Sequence, residues 1–521
     1  MELFDELTEH TFPALLDLLA ERHGADEAVV GPDGRVTFAE LRERTDRMAA
    51  WYTSAGLVPG ERVGVLLPNG LRWLVAALGA LRAGLVAVPI NTWYRSTEYA
   101  HVIEAAELRL IVTADPLFGR PVLEDLAAVG RGQAYTGPGD GYLGVLEWPA
   151  GMDLPAAVAD PVPDVRVGPD DLALILFTSG STARPKAVPL RHGPLLRNGR
   201  EIGRRQHLRP RDRLWIAAPF FFGYGCANAL PVALTHVVTL CLQERVDGDA
   251  SLEFIERERC TVYYGLATTT RALLSAPGFG RYDISSLRTG TTGFTAEDKR
   301  LAIEELGVTE VCSVYGLTEA YGHSTMTDAH DPLEVKLHTQ GTVVPTQEIR
   351  IVDDHGEVVP AGVTGEIELR GCVIDAYLDA PEIDAVSFRP GGWFRTMDLG
   401  WLDEHDRLHF VGRHKEIMKI KGINIAPAEV EDILVQHAKV DQAFVLGLPA
   451  PDGGEMMTAV IVPRGPVPDE DALAADLTSH VRARAASYKV PARFVFMDGT
   501  DLPLTDTGKV SKRKLRELLD A

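Results

Sequence analysis

Residues 172–186 read LALILFTSGSTARPK. The unbroken apolar run 172–177 predicts a strand buried on both faces, as in a parallel sheet sandwiched between helices. A polar loop comes next. Thr178, Ser179, Gly180, Ser181 and Thr182 are small, and all but Gly180 carry hydroxyls. Such residues leave O–H and backbone N–H donors free to surround a polyphosphate, and Lys186 adds a positive charge. The segment is not the GxxxxGK phosphate loop, because Pro185 stands where the second glycine is required. Taken alone, an ordinary turn between two strands also accommodates it.

The surrounding chain repeats the same theme. Thr37, with Glu40 three residues on, forms a capping-box pattern that opens a helix ending near Gly56. RVGVLLP (62–68), LVAVPI (85–90) and RLIVTA (109–114) read as buried strands, with helices over 71–84 and around 98–107 between them. Downstream, RLWIAAP (213–219), HVVTLCL (236–242), CTVYYG (260–265) and EVCSVYG (310–316) continue the alternation across helix-length spacers. A βα repeat of this kind predicts parallel sheets covered by helices, with ligands gathered at the carboxyl ends of strands. The Pro- and Asp-rich stretch 154–170 is expected to mark a subdomain boundary, and another falls near 331, where short strands such as EIRIVD (348–353) and GEIELRG (365–371) begin. After Arg413 the texture changes again, with a helix at 427–437, strands at 443–448 and 458–463, and a helix at 471–485. The fold class expected is α/β. Residues 1–413 would form a large N-terminal part of doubly wound sheets plus a small β unit, and 414–521 a small mobile α+β domain.

Composition narrows the function. The 521 residues are 45% apolar and 24% charged, which is globular and allows a large core. Acids outnumber bases 74 to 52, a net charge of −22 that repels nucleic-acid backbones and anionic membranes. The five cysteines, at 226, 241, 260, 312 and 372, lack CxxC spacing and a ligand pattern with His, so they read as reduced apolar fillers. The start, MELFDELTEH, has no basic region, and the longest apolar stretch is broken by Arg82 and two glycines. A cytoplasmic protein without membrane insertion is the expectation.

Four more segments carry chemistry: VYGLTE (314–319), FRTMD (394–398), FVGR (410–413) and LPLTDTGK (502–509). Singly each has a plain reading, Tyr315 as core, Glu319 as a helix-start acid, Asp398 as a turn residue and Lys509 as a solvated charge. Together with 178–186, in this order, they resemble the signature elements of the adenylate-forming superfamily, which includes acyl-CoA synthetases, firefly luciferase and peptide-synthetase adenylation domains. The likeness covers nearly the whole chain.

The resemblance implies an N-terminal adenylation domain and a C-terminal lid that rotates between two half-reactions. A carboxylic acid and ATP·Mg²⁺ would give an acyl adenylate and pyrophosphate, and the acyl group would pass to the thiol of CoA. An amine or a carrier-protein thiol is the alternative acceptor. ATP would be bound by Thr178, Ser179, Gly180, Ser181, Thr182, Lys186, Gly293, Tyr315, Gly316, Asp398, Phe410 and Arg413. Lys509, Thr318 and Glu319 would be catalytic, with Glu319 on the metal. Lys415 would be the hinge, and Lys419, Lys421 and Gly422 the loop that enters the site after rotation. The acyl pocket would be shaped by Phe222, Tyr224, Cys226, Thr291, Phe294, Leu317, Tyr321 and His323, which suit an aryl or medium-sized apolar acid. His323 could equally be structural.

The chemistry agrees with these residues, since two anions can react only with positive charge between them. A phosphotransferase using the same loop would release ADP instead of pyrophosphate, and a non-catalytic nucleotide binder would not need Lys509. The chain departs from the family pattern at Ala183, Ala187 and Met397, where glycine is usual, and in the Gly290–Phe294 turn. At 222 many CoA ligases have His where this chain has Phe, and at 223 amino-acid-activating domains have Asp where this chain has Gly.

Overall fold

The computed structural model describes residues 10–138, 141–151, 165–178, 185–293, 295–413, 418–420, 423–425, 427–449, 455–485, 489–505 and 509–520. Two sheets form the body. The six-stranded sheet runs in the order Gly144–Glu147, Leu108–Thr113, Arg62–Leu66, Val86–Pro89, Leu172–Thr178, Lys186–Arg191. Its neighbours are parallel except the last two, which are antiparallel. The seven-stranded sheet runs Glu310–Cys312, Thr289–Thr291, Val262–Tyr264, Arg213–Ile216, Thr239–Leu242, Glu27–Gly31, Gly34–Thr37, and only its last pair is antiparallel.

The helices that cover these sheets follow from the sequence. Thr37 caps Phe38–Ser54 with the reciprocal bonds of a capping box, its Oγ1 accepting from Glu40 N–H while Glu40 accepts from Thr37 N–H. Leu71–Arg82 is buried on nearly every side, which explains its lack of a polar face. Trp73, Phe220 and the strands of both sheets share one continuous core.

Two antiparallel sheets and a mixed C-terminal one complete the chain. Val314–Leu317, Gly322–Met326 and Thr342–Val343 form a small sheet, and Gln347–Val352, Gly365–Gly371, Trp393–Leu402, Phe388–Arg389 and Leu408–Arg413 form a second. The C-terminal unit places Val440–Pro449, Glu455–Pro463 and Arg493–Phe496 against helices Pro427–Val435, Glu470–Arg482 and Lys512–Asp520.

Two sequence expectations are corrected. EVCSVYG is not one strand. It breaks at Ser313, whose backbone N–H donates to Thr327 Oγ1 and whose hydroxyl donates to Thr339 O. Glu310–Cys312 therefore ends the parallel sheet, and Val314–Leu317 starts a different one. The stretch 154–170 does not part the two sheets either. The strands beyond it, Leu172–Thr178 and Lys186–Arg191, complete the six-stranded sheet begun at Arg62, and the seven-stranded sheet takes its edge from residues 27–37. A proline-rich connection reads as a boundary because it lacks periodicity, but sheet membership is set by long-range pairing that periodicity does not report.

Candidate active site

The strand Leu172–Thr178 leads to Lys186–Arg191 with Thr178 and Lys186 as direct partners, so the polar loop bridges two antiparallel strands. Ser179, Gly180, Ser181 and Thr182 lie outside the described residues. Lys186 is held with its Nζ 4.9 Å from the centre of the Tyr377 ring, a cation–π contact. The Tyr377 hydroxyl donates to Glu319 Oε1 at 2.8 Å. Burial, and next the Glu319 charge, push the Tyr377 pKa up, so the phenol stays a donor. Glu319 is half-buried and follows Thr318 in a single helical turn. Thr318 faces the 222–224 segment, since a Cβ on Gly223 would come within 3.0 Å of its Oγ1. Glycine at 223 thus brings the two segments together.

A second cluster assembles across the antiparallel sheets. Tyr315 stacks on Phe410 with ring centres 5.6 Å apart and donates its hydroxyl to Asp398 Oδ2 at 2.9 Å. Asp398 Oδ1 also pairs with Arg413 Nε at 3.4 Å. Gly316 is required here, because a Cβ would lie 2.1 Å from Gly322 O across the hairpin. Lys509 reaches the same place from the C-terminal unit. Much of that residue meets solvent, yet its ammonium is desolvated. Burial, with Arg413 adding and Asp398 opposing, pushes its pKa down to about 8. The C-terminal unit is docked in part by Arg464, whose Nη2 lies 3.2 Å from Glu297 Oε1.

Met397 precedes Asp398 with φ +58°, which explains why glycine is usual there. An L-residue in this region carries about 1 kcal/mol of strain. Met397→Gly is therefore expected to stabilise the chain by about 1 kcal/mol, read as a higher urea midpoint. An unchanged or lower midpoint would show that methionine packing compensates.

The acyl-pocket expectations divide. Tyr224 stacks on Tyr264 at 5.2 Å, shares a 2.5 Å hydrogen bond with the Thr291 hydroxyl, and has its ring centre 6.4 Å from that of His323. These side chains belong together. Phe222 packs against Phe221 at 4.5 Å and Trp93 at 5.8 Å. Cys226 is fully buried, and burial raises its thiol pKa, so it is an inert filler. Leu317 packs beside the Tyr315 cluster. Tyr321 is placed in the core instead, its hydroxyl accepting from Arg191 N–H at 3.4 Å. A Cβ on Gly293 would meet the Asp298 side chain at 2.8 Å, and Phe294 lies outside the described residues. Lys415, Lys421 and Gly422 also lie outside them. Lys419 sits on the strand Met418–Ile420, paired with Asn424.

Sequence reasoning missed Tyr377 and Trp93. Neither lies in a recognisable motif, and each earns its place through long-range contacts. Among the described residues, the one group of three or more His, Cys or carboxylate ligands gathered within 4.8 Å is His207, Asp328 and His330, which does not include Glu319.

The family pattern of the AMP-binding enzyme matches residues 16–378, and that of the AMP-binding enzyme C-terminal domain matches 429–509. The chain belongs to the AMP-binding enzyme family. It is accordingly an AMP-forming carboxylate ligase of the adenylate-forming superfamily, and the α/β expectation holds. It is 33% identical over 521 residues to the 3-[(3aS,4S,7aS)-7a-methyl-1,5-dioxo-octahydro-1H-inden-4-yl]propanoyl:CoA ligase of Mycobacterium tuberculosis, covering 98% of this chain and 99% of the relative. The anthranilate CoA ligase AuaEII, solved in complex with anthranoyl-AMP, matches with TM-score 0.85 and 25% identity over 99% of both chains. The amide bond synthetase McbA from Marinactinospora thermotolerans matches with TM-score 0.83 and 28% identity, over 97% of this chain and 99% of that one. No helix among the described residues is long and apolar enough to cross a membrane.

Proposed function

We propose that this ligase joins a carboxylic acid to coenzyme A by way of an acyl adenylate. The observation that carries the reading is the convergence on Asp398. Tyr315 donates to that carboxylate and Arg413 pairs with it, and Lys509, from the C-terminal unit, lies within reach of its charge. Tyr315 would give adenine a flat face, and Asp398 would accept from the ribose hydroxyls. Thr178, Lys186 and the loop between them would hold the phosphates. Lys509 would stand between carboxylate and α-phosphate and offset the charge that builds there.

Mg²⁺ suits the remaining carboxylate. Glu319 is half-buried, with one oxygen fixed by Tyr377, and Mg²⁺ is commonly bound through one or two carboxylates plus substrate phosphates. The ion would supply charge to the phosphates; Glu319 would hold it and Tyr377 would hold Glu319. Residues 414–521 are taken as the lid, with Lys415 as hinge and Lys419, Lys421 and Gly422 as the loop that enters after rotation.

CoA is favoured as acceptor because Phe222, Phe221 and Trp93 form an apolar lip that a thiol arm can pass. McbA, an amide bond synthetase of similar fold, supports an amine as second reading. The test offers purified enzyme a panel of acids with ATP and follows pyrophosphate, then adds CoA or amines. Pyrophosphate with AMP and a thioester is the expected result. Amide formation with inert CoA would overturn the acceptor, and ADP without pyrophosphate would overturn the reaction.

A further inference from the structure

Beside the acyl pocket two buried polar atoms have no partner. His323 is 7% exposed and its Nε2 meets no hydrogen-bonding atom, and Asn228 is 1% exposed with its Nδ2 equally unmatched. Both border the Tyr224–Tyr264 stack. The His323 ring centre lies 6.4 Å from that of Tyr224, and Asn228 Oδ1 accepts from the Tyr264 hydroxyl at 3.1 Å.

Tyr224, Tyr264 and Asn198 are already committed, while Gln206 Oε1 is unpaired like the two atoms. The Tyr224 hydroxyl is taken by Thr291, and the Tyr264 oxygen receives Gln206 Nε2 at 2.9 Å. The Asn198 amide is spent on the carbonyls of Tyr321 and His323. Leaving a buried donor or acceptor unpaired is costly, and native chains pair nearly all of them. Two such atoms beside one substrate site are explained by a partner that arrives with the substrate. Burial holds His323 neutral, with its pKa pushed down to about 3, so its ring keeps one N–H and one lone pair. Asn228 offers an N–H. Neither carries a charge to match an ion.

Depth fixes where on the substrate the contact falls. Gly223 lies against Thr318 at the reacting end, and Asn228 is further along the helical segment by roughly 6–7 Å of rise. We propose that His323 and Asn228 recognise an uncharged oxygen substituent, a hydroxyl or keto group, on the part of the acid remote from its carboxylate. This rests on the acyl-adenylate reading above, and it changes the expected substrate from a wholly apolar acid to one with a polar tip.

The test measures pyrophosphate release for matched acids that differ only in hydroxyl against methyl, or keto against methylene, on aryl-propenoic and cyclic aliphatic frames. A site built to bond an oxygen rejects the carbon isostere strongly, so the oxygen-bearing member of at least one pair should have kcat/KM about 100-fold or more above its partner. His323→Phe, which keeps an aromatic ring, should shrink that ratio at least about tenfold, mainly through KM, and His323→Gln should restore part of it. Asn228→Ala provides an independent second variant, and circular dichroism checks that each is folded. Equal use of both members of every pair by the native enzyme overturns the proposal, and would show that ordered water satisfies the two atoms. An unchanged ratio in folded His323→Phe and Asn228→Ala overturns it as well. Pyrophosphate from none of the acids overturns the adenylation reading, and this inference falls with it.

Discussion

Lys509→Ala is expected to lower acyl-adenylate formation by about 10²–10³-fold while leaving the fold intact, the effect of removing one preorganised charge-stabilising group. Little structural loss should accompany it, because much of the residue meets solvent and only its ammonium is desolvated, near the Asp398–Arg413 pair. The pH profile makes the assignment sharper. Burial and Arg413 push the Lys509 pKa down to about 8, so its positive charge is present below that pH and lost above it. The kcat/KM for ATP reports the free enzyme, and should fall as pH rises through about 8. In Lys509→Ala this falling limb should vanish. Pyrophosphate exchange at the native rate in the variant, or a limb that persists, would remove Lys509 from the chemistry.

How far such a site is legible in sequence depends on what holds each residue in place. Tyr315, Asp398 and Lys509 sit in short runs whose composition marks them, and the structure joins Tyr315 to Asp398 by a hydrogen bond. Strands such as Leu108–Thr113 and helices such as Phe38–Ser54 follow from apolar pattern and capping chemistry, which are local. Ser313 is different. It ends one strand through bonds to Thr327 and Thr339, and nothing in the run EVCSVYG reveals those partners. Tyr377 lies 58 residues from the carboxylate it binds, in a segment without a motif. Met397 is visible in sequence as a departure, but its positive φ is a property of the bulged strand around it. The unpaired atoms of His323 and Asn228 were hidden for the same reason, since a missing partner can be seen only when all neighbours are in place.

Tyr377 also makes the metal assignment testable without disturbing the fold. Glu319→Gln keeps an oxygen that can accept from the Tyr377 hydroxyl, so the 2.8 Å contact has a substitute and the Lys186–Tyr377 contact is undisturbed. The variant loses only negative charge. A hard divalent cation prefers carboxylate over amide oxygen, so the Mg²⁺ titration of pyrophosphate exchange should shift to higher concentration. At low Mg²⁺ the rate should fall on the order of 10²-fold, the size of one lost charge contact. Tyr377→Phe is the companion variant. It leaves the charge and removes only the hydrogen bond that aims it, worth about 1.5–3 kcal/mol when the acceptor is ionised. Its rate should fall by about 10–10²-fold, with a smaller shift in the Mg²⁺ requirement. If Glu319→Gln shows the native titration and rate, Glu319 does not hold the metal; if both variants shift the titration equally, orientation and not charge is what Glu319 contributes.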